Sequence, residues 1–430
     1  MTRVAFIAFK LKDCDSVSIE AEKWIRIFDN FGFHVHRIAG YISEPASNDH
    51  IIPDLSSVDP RVEELAVAIF DEKQPEQRIL PGLRGLADDI EDRLVSLLDD
   101  INPDLLVVES VFSLPLNLPF SLVLGRWLAE KKLPCIAVHH DFYWWHDRFV
   151  SGWFGDLLAN YFPPGSAGVV NVTHDRVSNR ELYSKTGKTS KIIYSCLDFD
   201  SAGPDDPALA DERRRCLFNQ GLAGKGGDRA ASRSGSSATG RDRRDRRGES
   251  GTIVLLPAGA WSQAGIARTA EFVRQLEAET GCPALLVSDR AADNEPDPVC
   301  LLLDGAGRGW RRQRLSDSGE ADPAGVYAMS DMVILPEATR GMTPVIRAVA
   351  CRKPVVCVDG PLMDELRALG LQFLTLDGEA VTRVAKLLDR PLLIEEMLER
   401  NFEIGRKYFS LESLTKMILE LIAPVLLPVK

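Results

Sequence analysis

The chain is expected to fold as an α/β protein with two doubly wound parallel sheets, and three observations carry that expectation. Short apolar, β-rich runs alternate with amphipathic helical patterns in both halves. A composition break divides the two series: Ala223 to Gly251, AGKGGDRAASRSGSSATGRDRRDRRGESG, has no apolar periodicity and reads as a solvated, disordered insertion. With 430 residues, 45% of them hydrophobic, the chain is large enough for two separate cores.

In chain order, RVAFIAF (3 to 9) is a strand. SIEAEKWIRIFDNFG from Ser18 is a helix ending at Gly32, and HVHRIAG is the next strand, completing a βαβ opening. Ile51 to Leu98 holds polar helices. DLLVVES (104 to 110) and PCIAVHH (134 to 140) are buried strands flanking the helix LPFSLVLGRWLAEKK, and GVVNVTH (168 to 174) is followed by a helix and KIIYSCL. The second series runs through TIVLLPAG (252 to 259), ALLVSDR (284 to 290), MVILP and VVCVDG (355 to 360), and Ser410 to Val429 is a helix with an apolar tail. The expected domains are 1–200, a junction at 201–251 that contains the insertion, 252–408, and a final helix at 409–430. Function belongs at the carboxyl ends of the strands.

The net charge of −12 argues against general nucleic-acid or anionic-membrane binding, and the aspartates within the insertion dilute its arginines. Eight cysteines lie in apolar runs without metal spacing and read as reduced, buried thiols. MTRVAFIAFK is too short for a membrane span and lacks a cleavage signal, so the chain is read as cytoplasmic, with no transmembrane segment.

Leu335 to Val356, LPEATRGMTPVIRAVACRKPVV, is the most informative stretch. Pro336 stops a short buried strand, a polar loop follows, and Gly341 permits close backbone approach. Pro344 fits the first turn of a helix whose apolar residues run from Val345 to Ala350. A helix starting at a strand's carboxyl end offers N–H groups to phosphate.

The frame of Pro336, Gly341, Pro344, Ala348 and RKPVV resembles the donor loop of the retaining GT-B glycosyltransferases of family four, in which two Rossmann-like domains face each other across a cleft. The resemblance implies a nucleotide-sugar substrate, no metal and no other cofactor, with Gly259, Arg340, Gly341, Met342, Thr343 and Arg347 on the donor side. The departures are chemical. Thr339 or Arg340 stands at the family's first glutamate and Arg347 at its second, so donor-only groups replace carboxylate acceptors. In the segment Pro257 to Gly265, the family's phosphate-neutralising arginine and lysine are Gly259 and Ala264.

Five amino-terminal pieces resemble the subgroup of family four that contains the sugar-osmolyte synthases: DSVSIEAEKW (15 to 24), VVESVFSLPLNLP (107 to 119), HHDFYWWHDRF (139 to 149), YFPP (161 to 164) and VVNVTHDRVSNREL (169 to 182). The subgroup's asparagine after VVE is Ser110, and its proline and asparagine before the junction are Tyr194 and Ser195. His139, His140 and Asp141 precede Phe142, Tyr143, Trp144 and Trp145, a mixture of polar edges and aromatic faces that suits a sugar and would equally serve a capped strand end packed on a core. With the resemblance, His140 and Asp141 are assigned to catalysis, and Ser16, Ser18, Glu20, Trp144 and Arg148 to a small polar acceptor. For Ser16, Ser18 and Glu20 the alternative is capping of a helix start, and for Arg148 a surface ion pair.

Two functions follow. One is sugar transfer from a nucleotide donor with retention. The other is a catalytically degenerate homologue that binds without turnover. A second copy of the chain or an active paralogue is a candidate partner.

Overall fold

The computed structural model describes residues 2–13, 15–150, 153–166, 168–201, 251–257, 261–288, 299–303, 310–314 and 323–426. The chain divides into two compact units. Unit 1 comprises Met1–Ser195 with Leu414–Lys430, and unit 2 is Cys196–Ser413.

The strands of unit 1 are β1 (Arg3–Leu11), β2 (His34–Ile42), β3 (Asp49–Ile51), β4 (Leu105–Glu109), β5 (Cys135–His139), β6 (Val169–Thr173) and β7 (Ser190–Ile192). They form one sheet in the order β3-β2-β1-β4-β5-β6-β7, with every described pairing parallel. β4 and β5 are buried at every residue, as expected of strands covered on both faces, so they read as unbroken apolar runs without alternation. One cover is the helix Glu76–Ile101, whose Ile79, Leu83, Leu86, Ile90, Leu94, Leu98 and Ile101 recur at three- and four-residue steps and form its buried stripe. Ile90, Leu94 and Leu98 pack with Ala5, Ile7 and Ile38 of the sheet, and each fully buried leucine or isoleucine contributes about 1.5–3 kcal/mol.

Unit 2 contains β8 (Thr252–Leu256), β9 (Ala284–Ser288), β10 (Val299–Leu303), β11 (Trp310–Arg314), β12 (Met332–Leu335), β13 (Val355–Cys357) and β14 (Leu374–Thr375), in the order β11-β10-β9-β8-β12-β13-β14. β10 departs from the parallel expectation and runs antiparallel to both neighbours. The connections at 289–298 and 304–309 are too short for helical crossovers, which take about a dozen residues or more.

Both sheets reverse strand order at one place, between β1 and β4 in unit 1 and between β8 and β12 in unit 2. In a doubly wound sheet that reversal opens a crevice at the carboxyl ends, and it is where ligands bind. The final helix, Leu411–Leu426, buries Leu414, Ile418, Leu421 and Ile422 on one face, and from Leu414 onward it groups with unit 1. No described helix is long and apolar enough to cross a membrane. Apart from Gly251, the 223–251 insertion lies outside the described residues.

Candidate functional site

In unit 1 the reversal point collects side chains from four strand ends. After β1 the chain turns into the helix Ser16–Asn30, capped by Asp15, whose carboxylate accepts from the backbone N–H groups of Val17 (3.0 Å) and Ser18 (3.2 Å). The capping role that the sequence offered to Ser16 or Ser18 therefore belongs to Asp15. Ser18 is buried and donates its hydroxyl to Asp15 Oδ2 at 2.6 Å, while Ser16 is exposed. Glu20, on the inward face of the same helix, is buried and pairs with Lys23 at 2.6 Å.

β4 ends at Glu109, which is fully buried, and the next residue, Ser110, turns the chain with φ +61°. That left-handed conformation suits asparagine better than serine, which gives the subgroup's asparagine a backbone reason. β5 ends at His139, and His140 follows it. The parallel register sets Glu109 beside Val138, and His140 Nε2 lies 3.0 Å from Glu109 Oε2. After β6, His174 donates from Nδ1 to the carbonyl of Ile193 (2.9 Å), and its ring centroid is 4.4 Å from that of His140.

The neighbouring imidazoles have opposite electrostatics. His139 is buried between Ser113 Oγ (2.8 Å) and Asn171 Oδ1 (3.1 Å), and burial lowers its pKa to about 4. Burial also pushes His174 well down, with the charge of His140 acting in the same direction. For His140, burial acts downward but is outweighed by the hydrogen bond and charge of Glu109, helped by Glu20 and Asp15, so its pKa is raised. Burial drives Glu109 towards neutrality against the pull of His140. The direction that governs this pair is the rise on His140, because three carboxylates support its charge.

The aromatic residues continue the site. Trp144 stacks on Phe142 with centroids 4.4 Å apart and planes 10° from parallel, and the indole N–H groups of Trp144 (3.2 Å) and Trp145 (2.8 Å) both donate to Glu181 Oε1. Asp141 accepts from the backbone N–H of Phe142 (2.7 Å) and faces His146 Nε2 at 2.6 Å. Arg148 does not join them. Its guanidinium makes a two-point pair with Asp71, both contacts at 2.8 Å, which is the surface ion pair offered as its alternative. The structure thus sets Glu20 near His140 and joins Ser18 to Asp15, while Asp141 and Trp144 make their contacts with His146, Phe142 and Glu181. To these it adds Glu109, His174 and Glu181, which the sequence reading did not single out.

In unit 2, β12 ends at Leu335 and the helix Thr343–Ala350 begins with Met342 as its N-cap and Pro344 in the first turn. No side chain caps this helix. Thr339 Oγ1 contacts both the N–H (3.2 Å) and the carbonyl (3.1 Å) of Gly341, fixing the turn. A Cβ built at Gly341 meets no atom within 4 Å, so no described protein atom makes the close approach expected there. Thr343 is half-buried, Arg340 is exposed, and the Arg347 guanidinium lies 5.7 Å from the Tyr327 ring centroid. Gly259 lies outside the described residues, whereas Ala264 is exposed in the first turn of the helix Gln263–Thr280.

That helix start is occupied from within the unit. Glu337, just after β12, accepts from the backbone N–H of Ser262 at 3.1 Å and from its hydroxyl, and these bonds hold its pKa low with help from Arg268. Arg268 itself donates to the carbonyl of Pro336 at 2.7 Å. A carboxylate thus sits at a helix start in the segment where the resemblance puts the cations that neutralise a diphosphate. Among the described residues, no cluster of three or more His, Cys, Asp and Glu side chains could hold a metal ion.

No protein-family model matches the chain. It is 24% identical over 463 aligned positions to the mannosylglucosylglycerate synthase of Thermotoga maritima, covering 98% of this chain and 100% of that protein. Its fold matches the sucrose-phosphate synthase of Thermosynechococcus elongatus with a TM-score of 0.61 at 11% identity and 98% coverage of each chain. It also matches Anabaena HepE in complex with UDP-glucose with a TM-score of 0.53 at 12% identity, covering 98% of this chain and 100% of that one. The chain therefore has the GT-B glycosyltransferase fold, and over nearly its whole length its sequence is similar to a mannosylglucosylglycerate synthase.

Proposed function

We propose that the protein is a glycosyltransferase that moves a sugar from a nucleotide-sugar donor to the hydroxyl of a small polar acceptor, with retention at the anomeric carbon. The carrying observation is the strand-end cluster of His140, Asp141 and Trp144 at the reversal point of unit 1, where polar edges meet an aromatic face. The full-length likeness to a mannosylglucosylglycerate synthase supports the same class. In the reaction, the bond from the anomeric carbon to the diphosphate breaks and a bond to the acceptor oxygen forms on the same face of the ring. The acceptor proton passes to the departing phosphate.

The segment after β12 takes the nucleotide in this reading. Arg340 and Arg347 supply the positive charge that Gly259 and Ala264 no longer provide, and Glu337 leaves Ser262 when the diphosphate arrives. A specific observation favours the second reading, a homologue that binds without turnover: the Glu337 carboxylate already fills the helix start in unit 2. Each electrostatic contact missing from a transition state commonly costs about 10²–10³ in rate.

Calorimetric titration of the full chain with nucleoside diphosphates and their sugars decides between the two. The transferase reading expects saturable binding that strengthens in Glu337→Gln. Absence of binding in both proteins would reject it in favour of the degenerate reading.

A further inference from the structure

His140 stands apart from the other buried imidazoles because its neighbours dictate both its tautomer and its charge. Its Nε2 faces Glu109 Oε2 at 3.0 Å. Glu109 is wholly buried, and its second oxygen, Oε1, has no hydrogen-bond partner among the described residues. A buried carboxylate with one satisfied oxygen is stable as an anion only if its partner is a cation. His174, at 4.4 Å between ring centroids, cannot be that cation, because its Nδ1–H is spent on the Ile193 carbonyl and its Nε2 is buried without a partner. His139 is likewise committed at both nitrogens. Two rings this close hold one positive charge between them, and the one beside the carboxylate takes it.

We propose that Glu109 is a positioning residue for sugar transfer: it holds His140 with a proton on Nε2, leaving Nδ1–H as the outward donor to an oxygen of the transferred sugar. The proposal rests on the transferase reading above and assigns a task within it. The side chain of His140 is 16% exposed, whereas the Glu109 carboxylate that its Nε2 faces is wholly buried. The charged groups facing the ring are Asp15, Glu20 and Lys23 from the helix after β1, Glu109 from β4, and the imidazoles of His139 and His174. Lys23 is paired with Glu20 and Lys10 lies 3.5 Å from Asp15, which leaves Glu109 as the acid matched only by His140. A cationic donor at Nδ1 selects for a ligand that presents a hydroxyl or an oxyanion, and it loses that capacity when the ring is neutralised.

The test is histidine-labelled NMR on the full chain, which has seven histidines, with the His140 signals assigned by their loss in His140→Asn. The expected result is a titration midpoint above the ordinary histidine value and, at high pH, nitrogen shifts of an Nε2–H tautomer. In Glu109→Gln the midpoint should fall by at least one unit. A neutral form protonated on Nδ1, or an unchanged midpoint in Glu109→Gln, overturns the proposal. The tautomer is read in the unmodified protein, so a variant that failed to fold would still leave a decision. Neither measurement needs a substrate. A correct tautomer and shift with no nucleotide-sugar binding would therefore reject the transferase reading alone, and a wrong tautomer with normal transfer would reject the positioning role alone. Where transfer is measured, Glu109→Gln should move the alkaline limb of the kcat/KM profile to lower pH by the shift seen in NMR, with donor KM changed less than threefold. An unmoved limb counts against the role.

Discussion

The reversal points of the two sheets lie at equivalent places in the topology, yet they are built by opposite means. In unit 1 the crevice is lined by closely spaced ionisable groups, of which Glu20, Glu109 and His174 are buried and Asp15 and His140 half-buried. In unit 2 it is bridged by an exposed serine and a half-buried glutamate, with Arg340 exposed and Arg347 near an aromatic ring. Burial makes charges interact strongly and makes each of them costly to leave alone, whereas exposure makes them cheap to change. The charges of unit 1 therefore depend on one another, while those of unit 2 can change one at a time. The difference teaches that burial, more than the topology the two crevices share, decides how strongly their charged groups depend on one another.

Breaking the buried pair is the largest predicted effect. His140→Leu leaves the Glu109 carboxylate buried without its cation and should cost about 3–5 kcal/mol in urea unfolding. Glu337→Ala in unit 2 should leave the midpoint where it was. Equal losses in the two variants would erase the distinction.

Acid provides the next test. Folded His139 stays neutral down to about pH 4 because it is buried, while in the unfolded chain it protonates near its ordinary value of 6.5. Between those values the unfolded state binds more protons, so stability should fall by about 3 kcal/mol as pH drops from 6.5 to 4 and then level off. His174 adds in the same direction. His139→Gln should flatten this part of the stability–pH curve, and an unchanged slope would mean that the acid response originates elsewhere.

On the exposed side, Arg347→Ala should weaken nucleoside-diphosphate binding by about 1.5–3 kcal/mol, the range for a hydrogen bond to a charged group, measured by calorimetry. An unaffected affinity would show that this arginine serves only its contact with Tyr327. The smallest expected change is a gain. Ser110→Asn should stabilise the chain by about 0.5–1 kcal/mol, because asparagine relieves part of the left-handed backbone cost, and a lower Tm would place the strain in the side-chain packing.

The sequence made most strands legible because their residues are buried on both faces: LLVVE, CIAVH and TIVLL can hardly be anything else. It concealed β3 and β14, which are too short to show periodicity, and β11, whose WRRQR carries an edge strand's charges. The sequence offers candidates where the chemistry is local, as in the run that holds His140, Asp141 and Trp144. Glu109 looked like the end of a strand because its partner is 31 residues away and becomes a neighbour only through the parallel register of β4 and β5. The ion pair offered as the alternative for Arg148 had no visible partner for the same reason, since Asp71 is 77 residues away. Glu337 was hidden by a similar distance, 75 residues, from Ser262.

The return of the chain to unit 1 at Leu414 has a consequence for how the molecule is made. Unit 2 is contiguous from Cys196 to Ser413 and has all its parts once that stretch leaves the ribosome. Unit 1 precedes unit 2 in the chain yet must wait, with the apolar surface that accepts Leu414, Ile418, Leu421 and Ile422 uncovered, until all of unit 2 has been made. A premature stop between unit 2 and Leu414 would therefore injure the unit made before it. The unit with the more tightly coupled electrostatics is also the one that a nascent chain completes last.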